Sequence, residues 1–232
     1  MLSTSPVVLI LGAGPNIGQS IARAFAARGY KVALSARSLK DEDSSSNQVT
    51  ICSDLSDPQS VIKVFSKVKE SLGVPSVVVY NAAAATINDA KDPLSLALSD
   101  FTRDLNINTT SAFVAAQQAA LGFGELPESA SKTFIYTGNM LNTTSLPPLL
   151  SLGVGKSAMA HVVESAAKAY TDRGFKFYYA DQRKADGTPM YNEIDGEAHA
   201  EFYFQLAEGK SQEPWQQTFV KGLGYKRFPI LS

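Results

Sequence analysis

The chain has 232 residues, 44% apolar and 19% charged, with a formal net charge of -1; these proportions fit one α/β domain over residues 1–232 and exclude broad electrostatic binding to nucleic acid or an acidic membrane. The lone Cys52 excludes an internal disulfide and anchors no zinc site by itself, and no apolar run is long enough to cross a bilayer, so neither metal nor membrane is expected.

The amino-terminal MLSTSPVVLILGAG lacks a basic leader region, and glycines interrupt its apolar run, so it reads as a first strand of a cytoplasmic protein. Strands are predicted at Val7–Leu11, Lys31–Ser35, Val49–Ser53, Ser76–Asn81 and Thr133–Thr137. Helical patterns fall between them, near Ile17–Arg28, Pro58–Leu72, Ser99–Gly122 and Leu152–Asp172. The strand runs are almost continuously apolar, as strands covered on both faces must be. Such alternation means βαβ units, hence a Rossmann-like, doubly wound, mostly parallel sheet with helices on both faces and six or seven strands. Cys52, inside VTICSD, reads as a small buried filler. A sixth strand, Phe175–Ala180, follows the helix stop Arg173-Gly174, and the polar stretch 181–197 reads as a loop. Ala198–Glu208 reads as a short aromatic-rich helix and Trp215–Val220 as a further short element. Residues 181–232 are expected to form a divergent substrate lid.

Two glycine-containing stretches compete as phosphate loops. Gly155-Lys156-Ser157 has the ending of a P-loop, but the first glycine of that motif would fall on Leu150, and Pro147-Pro148 upstream cannot sit in a central parallel strand. LGAGPNIGQSIARAF passes the context test, because a strand precedes it and an amphipathic helix follows. Gly12 permits a tight turn, Gly14 a close approach of backbone to a pyrophosphate, and Gly18 close helix packing. The helix amino terminus at Ile17 adds partial positive charge. The second predicted strand ends in Ala36-Arg37, without the carboxylate that would bind a ribose 2′-hydroxyl; the Arg37 guanidinium suits a 2′-phosphate, which favours NADP(H) over NAD(H).

The succession of LGAGPNIG, SDLSD (Ser53–Asp57), YNAAA (Tyr80–Ala84), LNIN (Leu105–Asn108) and a helix around Lys156 resembles the short-chain dehydrogenase/reductase family over roughly residues 6–180. The resemblance puts Asn16 where the family has its middle glycine, a substitution that asparagine's tolerance of left-handed backbone would accommodate. It makes Asp54 and Leu55 an adenine-contacting pair, and Asn81, Ala82 and Ala83 a strand end lining the cofactor. Of the family's Asn, Ser, Tyr and Lys it matches Asn108 and Lys156, places Asn139 at the serine and puts Leu152 at the tyrosine.

Leucine has no proton to give, and a positioned acid or base is worth on the order of 10²–10⁴ in rate. The leading expectation is therefore an atypical NADP(H)-dependent oxidoreductase acting on a small carbonyl or alcohol. Lys156, Asn108 and Asn139 would form its site, and the proton would come from water or from a residue of the sixth strand. A non-redox cyclase or isomerase, and a catalytically silent NADP(H)-binding protein, stand as alternatives. Tyr178 and Tyr179 should face opposite sides of the sheet. His161 is expected in the core or an interface, and His199 either structural or covering the pocket. Tyr191, Phe202, Tyr203, Phe204 and Trp215 would roof the pocket or pack on the sheet. The resemblance also implies a homodimer or homotetramer paired through the helices at Ser99–Gly122 and Leu152–Asp172.

Overall fold

A computed structural model of the chain describes residues 5–40 and 44–229. Residues 1–4, part of the segment read above as leaderless, and 230–232, the end of the expected lid, lie outside the described residues.

Five apolar runs become the middle of a parallel sheet: β1 (Val7–Leu11), β2 (Lys31–Ala36), β3 (Gln48–Cys52), β4 (Val77–Tyr80) and β5 (Thr133–Thr137). β6 (Lys176–Arg183), β7 (Gln216–Val220) and β8 (Gly224–Tyr225) extend it, in the order β3-β2-β1-β4-β5-β6-β7-β8, with only β8 antiparallel. Alternate residues of each strand feed two cores. On one face Leu9, Val78, Phe134 and Phe177 pack under α2 (Pro58–Ser71), α4 (Ser111–Phe123) and α5 (Leu150–Ala169). On the other, Val8, Ile10, Val79 and Ile135 pack under α1 (Ile17–Ala26) and α6 (Gly196–Glu208). Both faces are covered, which is why the strands carry no polar alternation. The chain order reverses between β1 and β4, which opens the crevice that such sheets offer to ligands at their carboxyl ends.

Four expectations about elements are corrected. The stretch Ser99–Gly122 is not one helix: α3 (Leu98–Leu105) leads into a π-helical turn at Asn106–Thr110 before α4 begins. There Asn106 Nδ2 donates to Ser56 O at 3.1 Å, and Asn108 turns to Ala84. β6 runs on to Arg183 because β7 pairs with it from Tyr179 to Arg183, so Asp181–Arg183 belong to a strand. The sheet has eight strands, two of them from the carboxyl-terminal part. Cys52 is exposed, because it ends β3, the strand at the edge of the sheet.

Candidate functional site at the carboxyl edge of the sheet

The glycine turn joins β1 to α1. Gly12 has φ 93°, and a Cβ there would stand 2.4 Å from Ala82 N, so no side chain is tolerated. Ser35 O accepts from Gly12 N at 2.9 Å and Ala13 N at 3.0 Å, which ties the turn to β2. Asn81 Nδ2 donates to Gly12 O at 2.8 Å, and Asn81 N and Ala82 N both donate to Leu11 O, which ties it to β4. A Cβ on Gly14 would meet nothing within 4 Å, leaving the backbone open to a ligand, whereas one on Gly18 would press on Ala13. Asn16 has φ -86°, so it is not left-handed as expected. Its side chain reaches the carboxyl-terminal part instead: Nδ2 donates to Ile194 O at 2.9 Å, and Gly196 lies against Oδ1. Among the described residues the backbone N–H groups of Asn16, Ile17 and Gly18 have no acceptor. A helix amino terminus with unpaired N–H groups beside an open Gly14 fits a pyrophosphate.

Arg37 is exposed just beyond β2. Asp54 Oδ1 accepts from Ser56 N at 2.9 Å; that bond, helped by the nearby Arg37 charge, holds its carboxyl below the usual range. Leu55 is buried, and its carbonyl accepts from Ser111 Oγ at 2.7 Å. Ala83 lies in the irregular segment that follows β4, ahead of Ala84.

The residues expected to be catalytic converge on the carboxyl ends of β4, β5 and β6. Asn108 is fully buried, and its amide clamps Ala84, accepting from Ala84 N at 3.0 Å and donating to Ala84 O at 2.7 Å. Gly155 of α5 packs on Asn108, where a Cβ would come within 2.5 Å. One residue on, Lys156 is buried, donates from Nζ to Thr137 O at 2.8 Å and lies 4.5 Å over the Tyr136 ring. Burial pulls its pKa down to about 7, and the Asp181 carboxylate opposes that shift. Asn139 uses Oδ1 to cap the short turn that follows it, accepting from Leu141 N at 2.9 Å.

Tyr80, Tyr136 and Tyr179 stand at one register on three neighbouring strands, with stacked rings. Their hydroxyls are spent on backbone carbonyls: Tyr80 on Ile107 O at 2.5 Å, Tyr136 on Asn108 O at 2.9 Å and Tyr179 on Asn139 O at 2.7 Å. Burial raises the pKa of each. Tyr178 and Tyr179 do face opposite sides of the sheet, one in each core.

A cavity of about 190 Å³ lies at this edge. Ile17, Leu146, Leu149, Leu152 and Met190 give it apolar walls; Thr137, Asn139, Asp181, Gln182 and His199 supply its polar groups. Lys156 sits behind the lining, on the carbonyl of Thr137. Asp181 is buried, and Arg183 Nε donates to its Oδ2 at 2.5 Å. Burial pushes its pKa up to about 6, against the lowering pull of Arg183 and Lys156. Gln182 Oε1 accepts from Asp195 N at 2.9 Å, and its Nε2 is buried without a partner among the described residues. His199 Nδ1 bonds Asp195 O at 2.7 Å, and burial pulls its pKa down to about 4, so it is neutral at pH 7. His161 is exposed on the outer face of α5, not in the core. Of the aromatics, Tyr191 reaches the cavity, while Phe202, Tyr203 and Phe204 pack on the sheet and α1, and Trp215 packs on the other core. Sequence reading missed Gln182, whose strand position was hidden by the polar run around it.

A doubly wound sheet with a glycine turn at its switch point and a lysine-bearing helix beside β5 defines a dinucleotide-binding oxidoreductase scaffold. Residues 12–200 match a family model described as enoyl-(acyl carrier protein) reductase. A short chain dehydrogenase/reductase from Cryptosporiopsis sp., dmxR12, is 49% identical over 97% of this chain and 96% of its own length. The chain belongs to the short-chain dehydrogenase/reductase family. Versicolorin reductase from Emericella nidulans is 32% identical over 122 residues, 49% of this chain and 45% of that protein. Among solved structures, a metagenomic short-chain oxidoreductase in complex with NADP aligns with TM-score 0.80 at 16% identity, over 96% of this chain and 99% of that one. The structure of BdcA in complex with NADPH aligns with TM-score 0.73 at 20% identity, over 97% of each chain. At these identities the two structures are alike in fold.

Proposed function

We propose that the chain is an NADP(H)-dependent reductase of a fused-ring aromatic carbonyl or its phenolic tautomer, with Leu152 standing where most of its family carry a tyrosine. The observation that carries this reading is the cavity walled by Leu152, Asn139 and Asp181, which borders Ile17 of the glycine turn and has Lys156 behind it. The apolar walls suit a flat ring system, and a relative whose printed name is trihydroxynaphthalene reductase, 30% identical over 49% of this chain, supports that class.

The glycine turn fits the cofactor, which when bound would supply a hydride at the cavity. Asn16, Ile17 and Gly18 would hold its pyrophosphate through their free N–H groups. Arg37 would pair with a 2′-phosphate and Asp54 and Leu55 would meet the adenine, with Asn81, Ala82 and Ala83 beneath the ribose. Lys156 in its protonated form would place a positive charge close to the reacting end, and Asn139 has an amide N–H₂ to orient a carbonyl. The leucines exclude water, which strengthens each of these interactions. Residues 187–194 would act as a short lid within a single domain, and we place the enzyme in the cytoplasm.

The outer face of α4 and α5 carries exposed Phe113 and Leu121 around a groove of about 650 Å³ that also takes in His161; we assign this face to a homodimer.

Fluorescence titration should show NADPH binding more tightly than NADH, with Arg37→Ala erasing about tenfold or more of the difference. Stopped assays with a trihydroxynaphthalene and phenanthrenequinone should consume NADPH, and Lys156→Met should lower kcat/KM on the order of 10²-fold. A product isomeric with substrate and no NADPH oxidation would make the chain a cyclase or isomerase. Tight binding without chemistry, with turnover appearing only in Leu152→Tyr, would make it a silent binder.

A further inference from the structure

The reductase reading leaves the proton without a source. Tyr80, Tyr136 and Tyr179 have their hydroxyls on backbone carbonyls, and Tyr203 donates to Thr137 Oγ1 at 3.0 Å. His199 presents a neutral ring whose proton is on Asp195 O. Lys156 stands behind the wall. Tyr191 reaches the lining but is mostly exposed, and the hydroxyl of Thr137 and the amides of Asn139 and Gln182 hold their protons too tightly to give them up near neutrality. Among the described residues Asp181 is the one carboxyl on the lining, and one of its oxygens is uncommitted. Arg183 occupies Oδ2 of Asp181, while Oδ1 makes no hydrogen bond among the described residues.

Its placement follows from the sheet. Asp181 comes one residue after Ala180, which pairs with Thr137, so it projects at the level where β5 has ended. Alternation puts it on the side of Tyr179 and α5. Arg183 and Tyr179 approach it from its own strand, Lys156 from α5, and Tyr203 and His199 stand on α6. A carboxyl with one oxygen fixed by a guanidinium and the other free in an apolar cavity is positioned to exchange a proton with a ligand oxygen.

We propose that Asp181 is the acid and base of this enzyme, delivering its proton from Oδ1 to the oxygen of the substrate carbonyl. The proposal rests on the reductase reading. In reduction the carbonyl carbon takes the hydride of the dihydronicotinamide, and the C=O π pair moves onto oxygen. That oxygen takes the proton of the Asp181 carboxyl, leaving an alcohol, oxidised cofactor and a carboxylate that solvent reprotonates. Oxidation runs the same steps backwards, with the carboxylate as base. Burial raises the carboxyl toward about 6, so an appreciable protonated fraction persists near neutrality.

The test compares wild type, Asp181→Asn, Asp181→Glu and Arg183→Gln across pH 5–9 with phenanthrenequinone. Reduction needs the protonated form, so wild-type kcat should fall about tenfold per pH unit above the Asp181 titration. Asp181→Asn should lower kcat on the order of 10²–10⁴-fold at pH 6, lose that limb and bind NADPH within about twofold of wild type. Asp181→Glu should recover part of the rate. Arg183→Gln removes a cation that favours the carboxylate, so the limb should move to higher pH. Infrared titration of the cofactor-free protein should show a carboxyl C=O band with the same pH dependence, absent from Asp181→Asn. Retained turnover and an unchanged limb in Asp181→Asn would overturn the proton role alone. Intact NADPH binding with no oxidation by wild type would overturn the reductase reading and the proton role with it. An Asp181→Asn protein that does not fold leaves the decision to Arg183→Gln, whose unmoved limb would overturn the proposal.

Discussion

Gly12 and Gly138 set the tolerances of the site at the scale of single residues. A methyl group on Gly12 would meet the backbone of Ala82 at 2.4 Å in a conformation with φ 93°. Gly12→Ala should therefore destabilise the fold by about 2 kcal/mol or more and abolish NADPH binding, readable by urea unfolding and by fluorescence titration. Gly138 is crowded by a side chain: a Cβ would enter the Tyr179 ring at 2.1 Å. Gly138→Ala should displace that ring and break the Tyr179 bonds to Asn139, costing stability while leaving the glycine turn able to bind cofactor. The glycine turn was legible because glycines mark it at spacings that backbone geometry requires. Asn16 was legible as a position but not in its role: its contact with Ile194 spans 178 residues, which no local pattern can show.

At the scale of elements, a carboxylate holds the start of α5. Asp104 of α3 is fully buried and accepts from Thr86 N at 2.6 Å, Ser151 Oγ at 2.7 Å and Arg103 NH2 at 2.9 Å. These partners hold its pKa below the ordinary value against the opposing cost of burial, the largest single influence. Asp104→Asn should cost about 2–4 kcal/mol, because an amide cannot accept from all these donors. Ser151→Ala should cost less, and a double-mutant cycle should show strong coupling. Ser151 precedes Leu152, so the same latch places the leucine on the cavity wall. The helix split at Asn106–Thr110 was not readable in advance, because helical periodicity persists on both sides of the π turn. Lys176 is a similar case: it reads as a charge opening a strand, yet its Nζ is buried against the carbonyls of Leu206, Ala207 and Gly209, closing the end of α6.

At the scale of the molecule, buried ionisable groups give stability a distinctive dependence on pH. Burial lowers Lys156 to about 7 and Lys176 to about 8, so between those values and 10.5 the unfolded chain binds more protons than the folded one. Stability should rise with pH across that window, and Lys176→Met should remove part of the rise in urea midpoints between pH 7 and 9.5. Above pH 10 the trend should reverse. Tyr136 and Tyr203 keep their protons in the fold when those of the unfolded chain ionise. His199 acts at the acid end: neutral in the fold down to about 4, it should cost stability as pH falls from 6.5. The proposed dimer should also be measurable by light scattering, and Leu121→Asp should convert it to monomer, since it puts a charge on the groove between α4 and α5.

The sequence by itself determined the doubly wound class, the positions along the chain of the first six strands and the site of the glycine turn. Each of these rests on short-range patterns: continuous apolar runs, glycine spacing and helix periodicity. It also showed Lys156 and Leu152 on one helix, four residues apart. The tertiary structure decided what those residues meet. Pairing with β7 drew Asp181–Arg183 out of a polar loop and into the sheet. Packing of α6 on α1 brought Gly196 back against Asn16 and set His199 on the cavity that Ile17 borders. The cavity forms where β5, β6, α5, the 187–194 segment and the first turns of α1 and α6 converge, and burial there, which no stretch of sequence contains, sets the charge of Asp181 and Lys156.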